Sequence, residues 1–474
     1  MIRERPNIVL LCLDSARSDR FSCYGYARKT SPNLDSLARE SVLYRNAIAT
    51  APWTVPSHAS LFTGLYTKDH RTIVSSMPKD VGPTMAEMLQ DTGYNTAAVT
   101  ANPWLTSRSG ILRGFDTTVE LPPLGRKHDA GWKRSLSQRI AKAQVLLGMR
   151  GTWLYPEART VSEHAMSAMC GMREPFLLFV NYMDTHAPYL PSWPRAAGWS
   201  PSLAGLKARR DWWVVCRKQT GWDVLVDDRE DLLEALSDFY DGDLASTDRR
   251  LGELIDWVDS RRWQRPVLLM VFSDHGENLG DHGLMYHFGC LYDTLLRVPL
   301  MVRAPSILPQ GAEIQAQVQL SDVMPSLLAV TGAAGERQGV LYRDRPNLLD
   351  MEAMADRDWP AYAEYYPGQK IKQWQKKASR FNFTPLDRSM RAVRTRQHKY
   401  IAASDGSAEL FDLQRDSAEC EDLLASADNE AQPVAEALQR QLNRDLPEPE
   451  WGAHAEDEEY EAEAADQLRG LGYL

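Results

Sequence analysis

The sequence predicts an α/β fold in which a mostly parallel sheet is flanked by helices. Short apolar runs alternate with segments of helical periodicity, and 474 residues with 43% hydrophobic content can build a large core. In sheets of this kind, ligands bind beyond the carboxyl ends of the strands. The predicted strands are Ile8–Leu13, Thr96–Thr100, Phe176–Asn181, Val267–Ser273 and Leu300–Val302. The predicted helices are Ser31–Glu40, Thr84–Thr92, Leu232–Arg249 and Asp322–Thr331.

The chain is predicted to contain a catalytic domain, residues 1–386, and a C-terminal subdomain with an acidic tail, residues 387–474. In the subdomain, Arg394–Ile401 and Glu409–Leu413 are expected to be strands joined by a turn at Asp405 and Gly406. A helix carrying Leu438 and Leu442 should follow them. These elements predict a small α+β unit.

Two inserts interrupt the predicted catalytic domain, at about 125–150 and 192–222. The first is basic and partly amphipathic, as expected of a solvated surface helix or of a segment that meets a membrane surface. The second carries five tryptophans, which would either line an apolar substrate pocket or form a small satellite core.

Composition excludes several classes of function. A net charge of −10 and a pI of about 5.6 disfavour nucleic acid as a partner. No apolar run approaches the roughly 20 residues of a membrane helix, and the first apolar run is too short for a signal peptide. The six cysteines are scattered without a CxxC pair. We therefore expect a cytoplasmic protein with reduced thiols and no membrane anchor.

Two predicted strands end in residues that bind metals. Asp14 follows the first strand, and Asp274 and His275 follow the strand that ends at Ser273. Because these strands should end at the same edge of the sheet, the three side chains form a candidate site for a divalent metal. Thr54 could supply a fourth ligand as an alkoxide.

The segment Ala51–Gly64 contains the candidate nucleophile, Thr54. Pro56 would stiffen the turn after it, and a helix beginning at Ser57 would aim backbone N–H groups toward the Thr54 hydroxyl. A metal activates a weak nucleophile of this kind by lowering the pKa of its hydroxyl. In the alternative interpretation, Ser57 is a helix N-cap and Thr54 is a loop residue.

A third polar segment follows the strand that ends at Asn181. His186 could protonate a leaving group or contact an anion, and Asp184 could orient His186 or bind the substrate. His287 and Asn102 are further candidates for binding the substrate. A loop histidine with ordinary hydrogen-bond partners is the alternative for His186.

These segments, in this order, resemble the sulfatase family. Sulfatases carry Cys or Ser, then x-Pro-Ser-Arg, at the position of Thr54-Val-Pro-Ser-His58. The resemblance implies an alkaline-phosphatase-like α/β core, a small C-terminal subdomain and a metal bound by Asp14, Asp274 and His275. The matching segments are Arg5–Leu10 with Asp14, Ser31–Ala38, Thr54–His58, Phe62–Gly64, Gly114–Asp116, Asp274–Gly276, Arg297–Pro299, Asp322–Ser326 and Lys399–Tyr400.

The departures from the family pattern affect the catalytic residues. Sulfatases oxidise the Cys or Ser to formylglycine, but the hydroxyl of Thr54 is on a secondary carbon and cannot become an aldehyde. His58 replaces the arginine of the motif, and Ala101–Trp104 replaces a segment that carries a lysine. The second lysine expected near His287 is missing, and Ser15 replaces the second aspartate of the usual pair.

A threonine nucleophile resembles the phosphodiesterase and phosphoethanolamine transferase branches of this superfamily. The sequence therefore predicts hydrolysis of a phosphate or phosphonate mono- or diester of a small molecule, through a covalent intermediate on Thr54. His58 would contact the charged oxygens, and His186 would assist the leaving group. We expect one metal ion, Mn²⁺ or Zn²⁺ in preference to Ca²⁺.

Three alternatives remain open at this point. They are sulfate-ester hydrolysis without formylglycine, transfer of a phospho group in a biosynthetic pathway, and a non-catalytic binding protein on the same scaffold. Association of identical chains into a homo-oligomer is also left open by the sequence.

Overall fold

The computed structural model describes most of the chain. It covers residues 5–73, 75–121, 143, 155–191, 203–218, 222–334, 347–355, 359–367, 380–426 and 430–449. Nearly all of the predicted insert at 125–150 and the acidic tail lie outside these ranges.

The main sheet has nine strands, and its centre is β1. The strand order is β8-β2-β7-β6-β1-β5-β3-β4, and the short strand Arg297–Val298 pairs with β2. All these strands run parallel except β7 and the short strand. The eight longer strands are β1 (Asn7–Leu13), β2 (Val42–Ile48), β3 (Asn95–Thr100), β4 (Thr117–Glu120), β5 (Phe176–Tyr182), β6 (Val267–Phe272), β7 (Leu300–Arg303) and β8 (Ala312–Gln319).

Helices cover the sheet, which explains the unbroken apolar runs of its central strands. Every residue of β1 and β5 is buried, as expected when both faces of a parallel sheet are covered. The described α-helices are α1 (Pro32–Arg39), α2 (Thr54–Thr63), α3 (Thr67–His70), α4 (Met85–Asp91), α5 (Ala158–Gly171), α6 (Leu203–Lys218), α7 (Asp223–Val226), α8 (Glu230–Ser260), α9 (Asp293–Leu296), α10 (Val323–Thr331), α11 (Met351–Ala355) and α12 (Ala431–Asp445).

The C-terminal subdomain is a four-stranded antiparallel sheet packed against α12. Its strands, in sheet order, are β9 (Ala361–Tyr365), β10 (Met390–Arg394), β11 (His398–Ala403) and β12 (Ala408–Asp412). Tyr400, Leu410, Leu438 and Leu442 belong to the small apolar core between this sheet and the helix.

The predicted α/β fold is confirmed, and each of the five predicted strands lies within one residue of its expected limits. Two details differ. The expected strand Arg394–Ile401 is divided by a turn at 395–397, where the chain reverses between β10 and β11. Strand β9 belongs to the small sheet although it precedes the predicted boundary at 387, so the subdomain takes a strand from the preceding segment.

The tryptophan-rich insert is described in part. Trp212, Trp213 and Trp222 are buried in a second apolar cluster that also contains Tyr189 and Tyr240, and Trp212 stacks on Tyr189 with ring centroids 6.0 Å apart. This arrangement matches the satellite core of the two alternatives. The first two tryptophans of the insert lie outside the described residues. Within the described ranges, no helix combines the length and apolar character that crossing a membrane would require.

Candidate active site

The carboxyl edge of the main sheet brings together the three predicted metal ligands. Asp14 comes directly after β1, and Asp274 and His275 follow the neighbouring strand β6 by two and three residues. One ligand atom from each residue lies within 4.8 Å of the others, and all three side chains are buried. This is the arrangement expected from strands that end at the same edge.

The electrostatics of this group fit a bound cation. Asp274 Oδ1 accepts hydrogen bonds from the backbone N–H groups of Ser15 and His275, at 3.2 and 3.0 Å. Its other oxygen, Oδ2, is buried without a hydrogen-bond partner. Burial and then the Asp14 carboxylate raise the pKa of Asp274 well above its usual range. No lysine or arginine in the described part of the chain pairs with either aspartate. Two oxygen donors and one imidazole nitrogen therefore form a donor set that can hold a divalent metal.

His275 is oriented so that one ring nitrogen faces the site. Its Nδ1–H donates to the carbonyl oxygen of Gly276 at 2.8 Å, which leaves the lone pair of Nε2 for a metal or a hydroxyl. Nε2 lies 3.4 Å from Asp274 Oδ2 and 3.9 Å from Asp14 Oδ1.

Thr54 lies at the first position of α2, directly beside Asp14, Asp274 and His275, which we call the ligand group. Its Oγ1 is 3.3 Å from His275 Nε2 and 3.4 Å from Asn102 Nδ2. The helix begins at Thr54, not at Ser57 as expected, so both sequence-based interpretations of Ser57 were wrong. Ser57 lies inside the helix, and its hydroxyl donates to the Asp274 carbonyl oxygen at 2.7 Å. This bond fixes the first turn of α2 to the loop that carries Asp274 and His275, which we call the metal loop.

Asn102 links Thr54 to the predicted metal ligands. Its Nδ2 donates to Asp14 Oδ2 at 2.7 Å while lying 3.4 Å from Thr54 Oγ1. Asn181, at the end of β5, donates to the same Asp14 oxygen at 3.3 Å. These two amides hold Asp14 in place.

His58 lies beneath the ligand group. Its Nδ1 is 2.8 Å from the Thr54 carbonyl oxygen and 3.4 Å from Asp274 Oδ2, and its Nε2 is 3.7 Å from Cys12 Sγ. Burial lowers the pKa of His58 to about 4, so the ring is neutral at physiological pH. The expectation that His58 contacts substrate oxygens does not fit this placement, because both nitrogens face groups of the protein.

His186 and His287 form the opposite wall of the site. The His287 ring lies 4.5 Å from the ring of His275 and 5.0 Å from the ring of His186, measured between centroids. His186 Nδ1 donates to the Ala187 carbonyl oxygen at 2.8 Å. Both histidines thus lie close to the ligand group, and their contact with a substrate stays a prediction.

Glu277 is a functional candidate that sequence reasoning missed. Its Oε1 is 3.0 Å from His287 Nδ1, and the carboxyl group is completely buried. Burial raises its pKa to about 7, although His186 and His275 act to lower it. The available signal was its position two residues after His275, in a loop that already carried two metal ligands.

Asp184 has a different environment from the one expected. Its Oδ1 accepts a hydrogen bond of 3.0 Å from the Ala158 backbone N–H, at the first residue of α5. Burial raises the pKa of Asp184 to about 7. The carboxyl group thus caps a helix, and its proposed part in orienting His186 or binding substrate stays a prediction.

Two protein-family models match this chain. The family model described as Sulfatase matches residues 6–333, and the model described as N-sulphoglucosamine sulphohydrolase, C-terminal, matches residues 280–447. The first match spans well over half of the chain and includes all three predicted metal ligands.

Individual relatives are distant but cover nearly the whole chain. A choline-sulfatase of Rhizobium meliloti is 24% identical, over 96% of this chain and 89% of its own. The multifunctional alkaline phosphatase superfamily protein PehA of Trinickia caryophylli is 23% identical, over 88% of this chain and 91% of its own. The solved structure of a phosphonate monoester hydrolase of Agrobacterium radiobacter superposes with a TM-score of 0.67 at 21% identity, over 93% of this chain and 95% of its own. The chain therefore belongs to the sulfatase family of the alkaline phosphatase superfamily and is an ester hydrolase.

Proposed function

We propose that this enzyme hydrolyses a phosphate or phosphonate ester of a small molecule, mono- or diester, with Thr54 as the nucleophile. One observation carries the proposal: the Thr54 hydroxyl is within 3.4 Å of both His275 Nε2 and Asn102 Nδ2, at the edge of a buried acidic group that fits a cation. A loop threonine without a catalytic role would not need this placement.

Asp14, Asp274 and His275 would hold one divalent metal, with Thr54 Oγ1 as a fourth donor. The metal, when bound, would supply positive charge that favours the alkoxide form of Thr54 and offsets the charge on the ester oxygens. The mixed donor set favours Mn²⁺ or Zn²⁺ over Ca²⁺.

The covalent step exchanges one ester bond for another. Thr54 Oγ1, after losing its proton to solvent, forms a bond to phosphorus while the bond from phosphorus to the leaving oxygen breaks, and the leaving oxygen takes a proton from His186. His186 donates Nδ1–H to the Ala187 carbonyl oxygen, so proton exchange with the leaving oxygen would occur at Nε2. In the covalent intermediate, the Thr54 carbon bonded to the ester oxygen carries no second hydroxyl, so this carbon cannot expel the phosphorus group. Water must therefore attack phosphorus in the second step, which releases the product and restores Thr54.

His58 would act as a positioning residue in place of the family's arginine. As a neutral ring it donates Nδ1–H to the Thr54 carbonyl oxygen, and it contacts Asp274 on the same side. It would keep the first turn of α2 in register with the metal loop. His287, oriented by Glu277, and Asn102 would contact the non-reacting part of the ester.

Sulfate-ester hydrolysis is the second candidate. The match to the Sulfatase model and the choline-sulfatase relative favour it. Thr54 opposes it, since a threonine cannot be converted to the formylglycine on which sulfatases depend. We also propose a cytoplasmic location, which the six free cysteines support.

Release of p-nitrophenol from four esters tests the proposal: a phosphate monoester, a phosphate diester, a phenylphosphonate and a sulfate. Enzyme loaded with Mn²⁺ or Zn²⁺ should turn over at least one phosphorus ester. Thr54→Ala should reduce that rate by about 10⁴-fold, whereas the matched variant Thr54→Ser should keep a measurable part of it. Turnover of the sulfate alone, or full activity of Thr54→Ala, would refute the proposal.

A further inference from the structure

A second cavity lies away from the catalytic residues, between the main sheet and the C-terminal subdomain. Its volume is about 710 Å³, enough for a ligand the size of a sugar phosphate. None of its lining residues belongs to the candidate active site. We call it the subdomain cavity, and the lining residues that matter here are Arg297, Arg396, His398, Gln315, Gln397 and Gln414.

The lining carries surplus positive charge. Asp293 is the acidic residue of the lining, and its carboxylate is already paired with Arg394 at 2.8 Å and with Lys399 at 2.9 Å. Two lining cations remain beyond this compensated group. They are Arg297 and Arg396, and neither forms a salt bridge in the described part of the chain.

The two arginines differ in how firmly the protein holds their side chains. Arg297 is held in a fixed orientation, because its Nε and Nη2 both donate to the Arg45 carbonyl oxygen at 3.2 and 3.1 Å. Arg396 lies at the tip of the tight turn between β10 and β11, which is closed by a 2.8 Å bond from Thr395 N–H to the His398 carbonyl oxygen. The exposed Arg396 side chain can therefore move toward a ligand without disturbing the fold.

The remaining lining groups select for oxygen-rich ligands. Amide side chains from both sheets and the hydroxyls of Thr395 and Ser417 line the cavity, with little apolar surface. Amides and hydroxyls bind sugar hydroxyls, and guanidinium groups bind phosphate or sulfate. We propose that the subdomain cavity is a second binding site, for a polyhydroxylated molecule that carries a phosphate or sulfate group.

The cavity is also connected to the catalytic loop through α9. Asp293, the first residue of this helix, and Arg297, which follows its last residue, line the cavity. The carbonyl oxygens of Thr294 and Leu295 accept hydrogen bonds from the backbone of Glu277 and Gly276, at 3.1 and 2.7 Å. One short helix thus contacts both the cavity and the loop of the candidate active site.

Calorimetric titration of the metal-loaded full-length protein tests this proposal. The probes are glucose 6-phosphate, glucose 6-sulfate and glucose, and Thr54→Ala is the background so that no probe is hydrolysed. At least one anionic sugar should bind, and glucose should not. Adding Arg396→Glu should weaken binding about tenfold or more, equivalent to about 1.4 kcal/mol. The control Arg440→Glu changes net charge equally at an exposed position of α12 outside the lining, and should leave binding unchanged.

A further variant separates the two sites. Asp274→Asn removes a metal ligand of the active site and should leave binding in the subdomain cavity intact. Three outcomes would overturn the proposal: no binding of either anionic sugar up to about 10 mM, which corresponds to less than about 3 kcal/mol of binding energy; binding that Asp274→Asn removes but Arg396→Glu does not; or equal effects of Arg396→Glu and Arg440→Glu. Preference for the phosphate or the sulfate probe would identify the anionic group.

Discussion

Asp274 and Asp293 are two buried carboxylates that the fold treats in opposite ways. Asp293 is surrounded by cations from the C-terminal subdomain, Arg394 and Lys399, both within 2.9 Å. Asp274 has the Asp14 carboxylate as a neighbour and an oxygen without a hydrogen-bond partner. Arg394 and Lys399 thus balance the charge of Asp293, whereas no lysine or arginine in the described part of the chain balances that of Asp274.

The pKa values express the same difference. Burial acts to raise the pKa of Asp293, but Arg394 and Lys399 outweigh it and hold that pKa well below the usual range. Burial and Asp14 both raise the pKa of Asp274. Uncompensated buried charge destabilises a fold, so a protein keeps it where a ligand supplies the missing charge. The comparison thus separates a structural ion pair from a functional site.

The largest effect should come from Asp274→Asn. Because it removes a metal ligand, kcat/KM should fall by about 10³-fold or more toward any ester that the wild type hydrolyses. In metal-stripped protein the same change relieves repulsion from Asp14, so the free energy of unfolding should stay equal or rise. Steady-state kinetics and denaturant unfolding measure the two quantities. A variant that loses stability without metal would contradict our view of this carboxylate.

Asp293→Asn should show the reverse pattern. It leaves buried Arg394 without a carboxylate partner, while Lys399 keeps Glu419 Oε1 at 2.7 Å, and the loss should cost about 3 kcal/mol of stability. Activity per folded molecule should change little, since Asp293 does not reach the ligand group. Denaturant unfolding followed by kinetics on folded protein provides the check. An unchanged free energy of unfolding would show that the ion pair does not stabilise the fold.

Glu277→Gln should have an intermediate effect, confined to catalysis. Gln can still accept from His287, but a charge-assisted hydrogen bond becomes a neutral one, which should cost about 1.4 kcal/mol, or about a tenfold loss in kcat/KM. Glu364→Gln is the matched control. Glu364 is also buried with a pKa raised to about 7 by burial, but it lies in β9 of the small sheet. Equal losses of kcat/KM in Glu277→Gln and Glu364→Gln would show that the loss comes from burying an amide at either position and not from the contact with His287.

The smallest effect concerns His70, a buried side chain that forms hydrogen bonds with uncharged groups. Its Nε2 is 3.1 Å from Ser60 Oγ, and its Nδ1 accepts from the Thr72 backbone N–H at 3.1 Å. Burial lowers the pKa of His70 to about 3. Between pH 7.5 and 5.5 the unfolded chain binds a proton that the folded chain does not, so stability should fall as pH falls.

The contribution of His70 over this range is about 1 kcal/mol. Since other groups also titrate, the measurement is a difference. Unfolding free energies of the wild type and His70→Asn are compared at both pH values. The gap between the two proteins should shrink by about 1 kcal/mol at the lower pH. A constant gap would mean that His70 titrates normally in the folded protein.

Strand edges were predictable from the sequence because they depend on local patterns. An apolar run followed by a polar residue located Asp14, Asp274 and His275 correctly at one edge of the sheet. The roles of Asn181 and Glu277 were not predictable in the same way. They depend on which strands are neighbours and on which residues share a loop interior, and a single sequence shows neither.

The direction of a side chain was harder to predict than its place in the chain. The expected helix start at Ser57 would have turned His58 toward a substrate. The helix begins three residues earlier, at Thr54, which places His58 one turn along and under the metal ligands. Pro56 therefore lies at the third position of the helix, in the first turn, where a missing backbone N–H costs no intrahelical hydrogen bond.

Metal binding by the wild type and by Asp274→Asn is the measurement that tests the central claim most directly. Metal-stripped protein is titrated with Mn²⁺ and Zn²⁺ in a calorimeter, and the metal content of the reloaded protein is measured by elemental analysis. We predict one tightly bound ion per chain in the wild type and greatly weakened binding in Asp274→Asn, with Asp293→Asn unchanged from wild type. Absence of a bound ion in the wild type, or equal binding by Asp274→Asn, would contradict the assignment of the uncompensated carboxylates as a metal site.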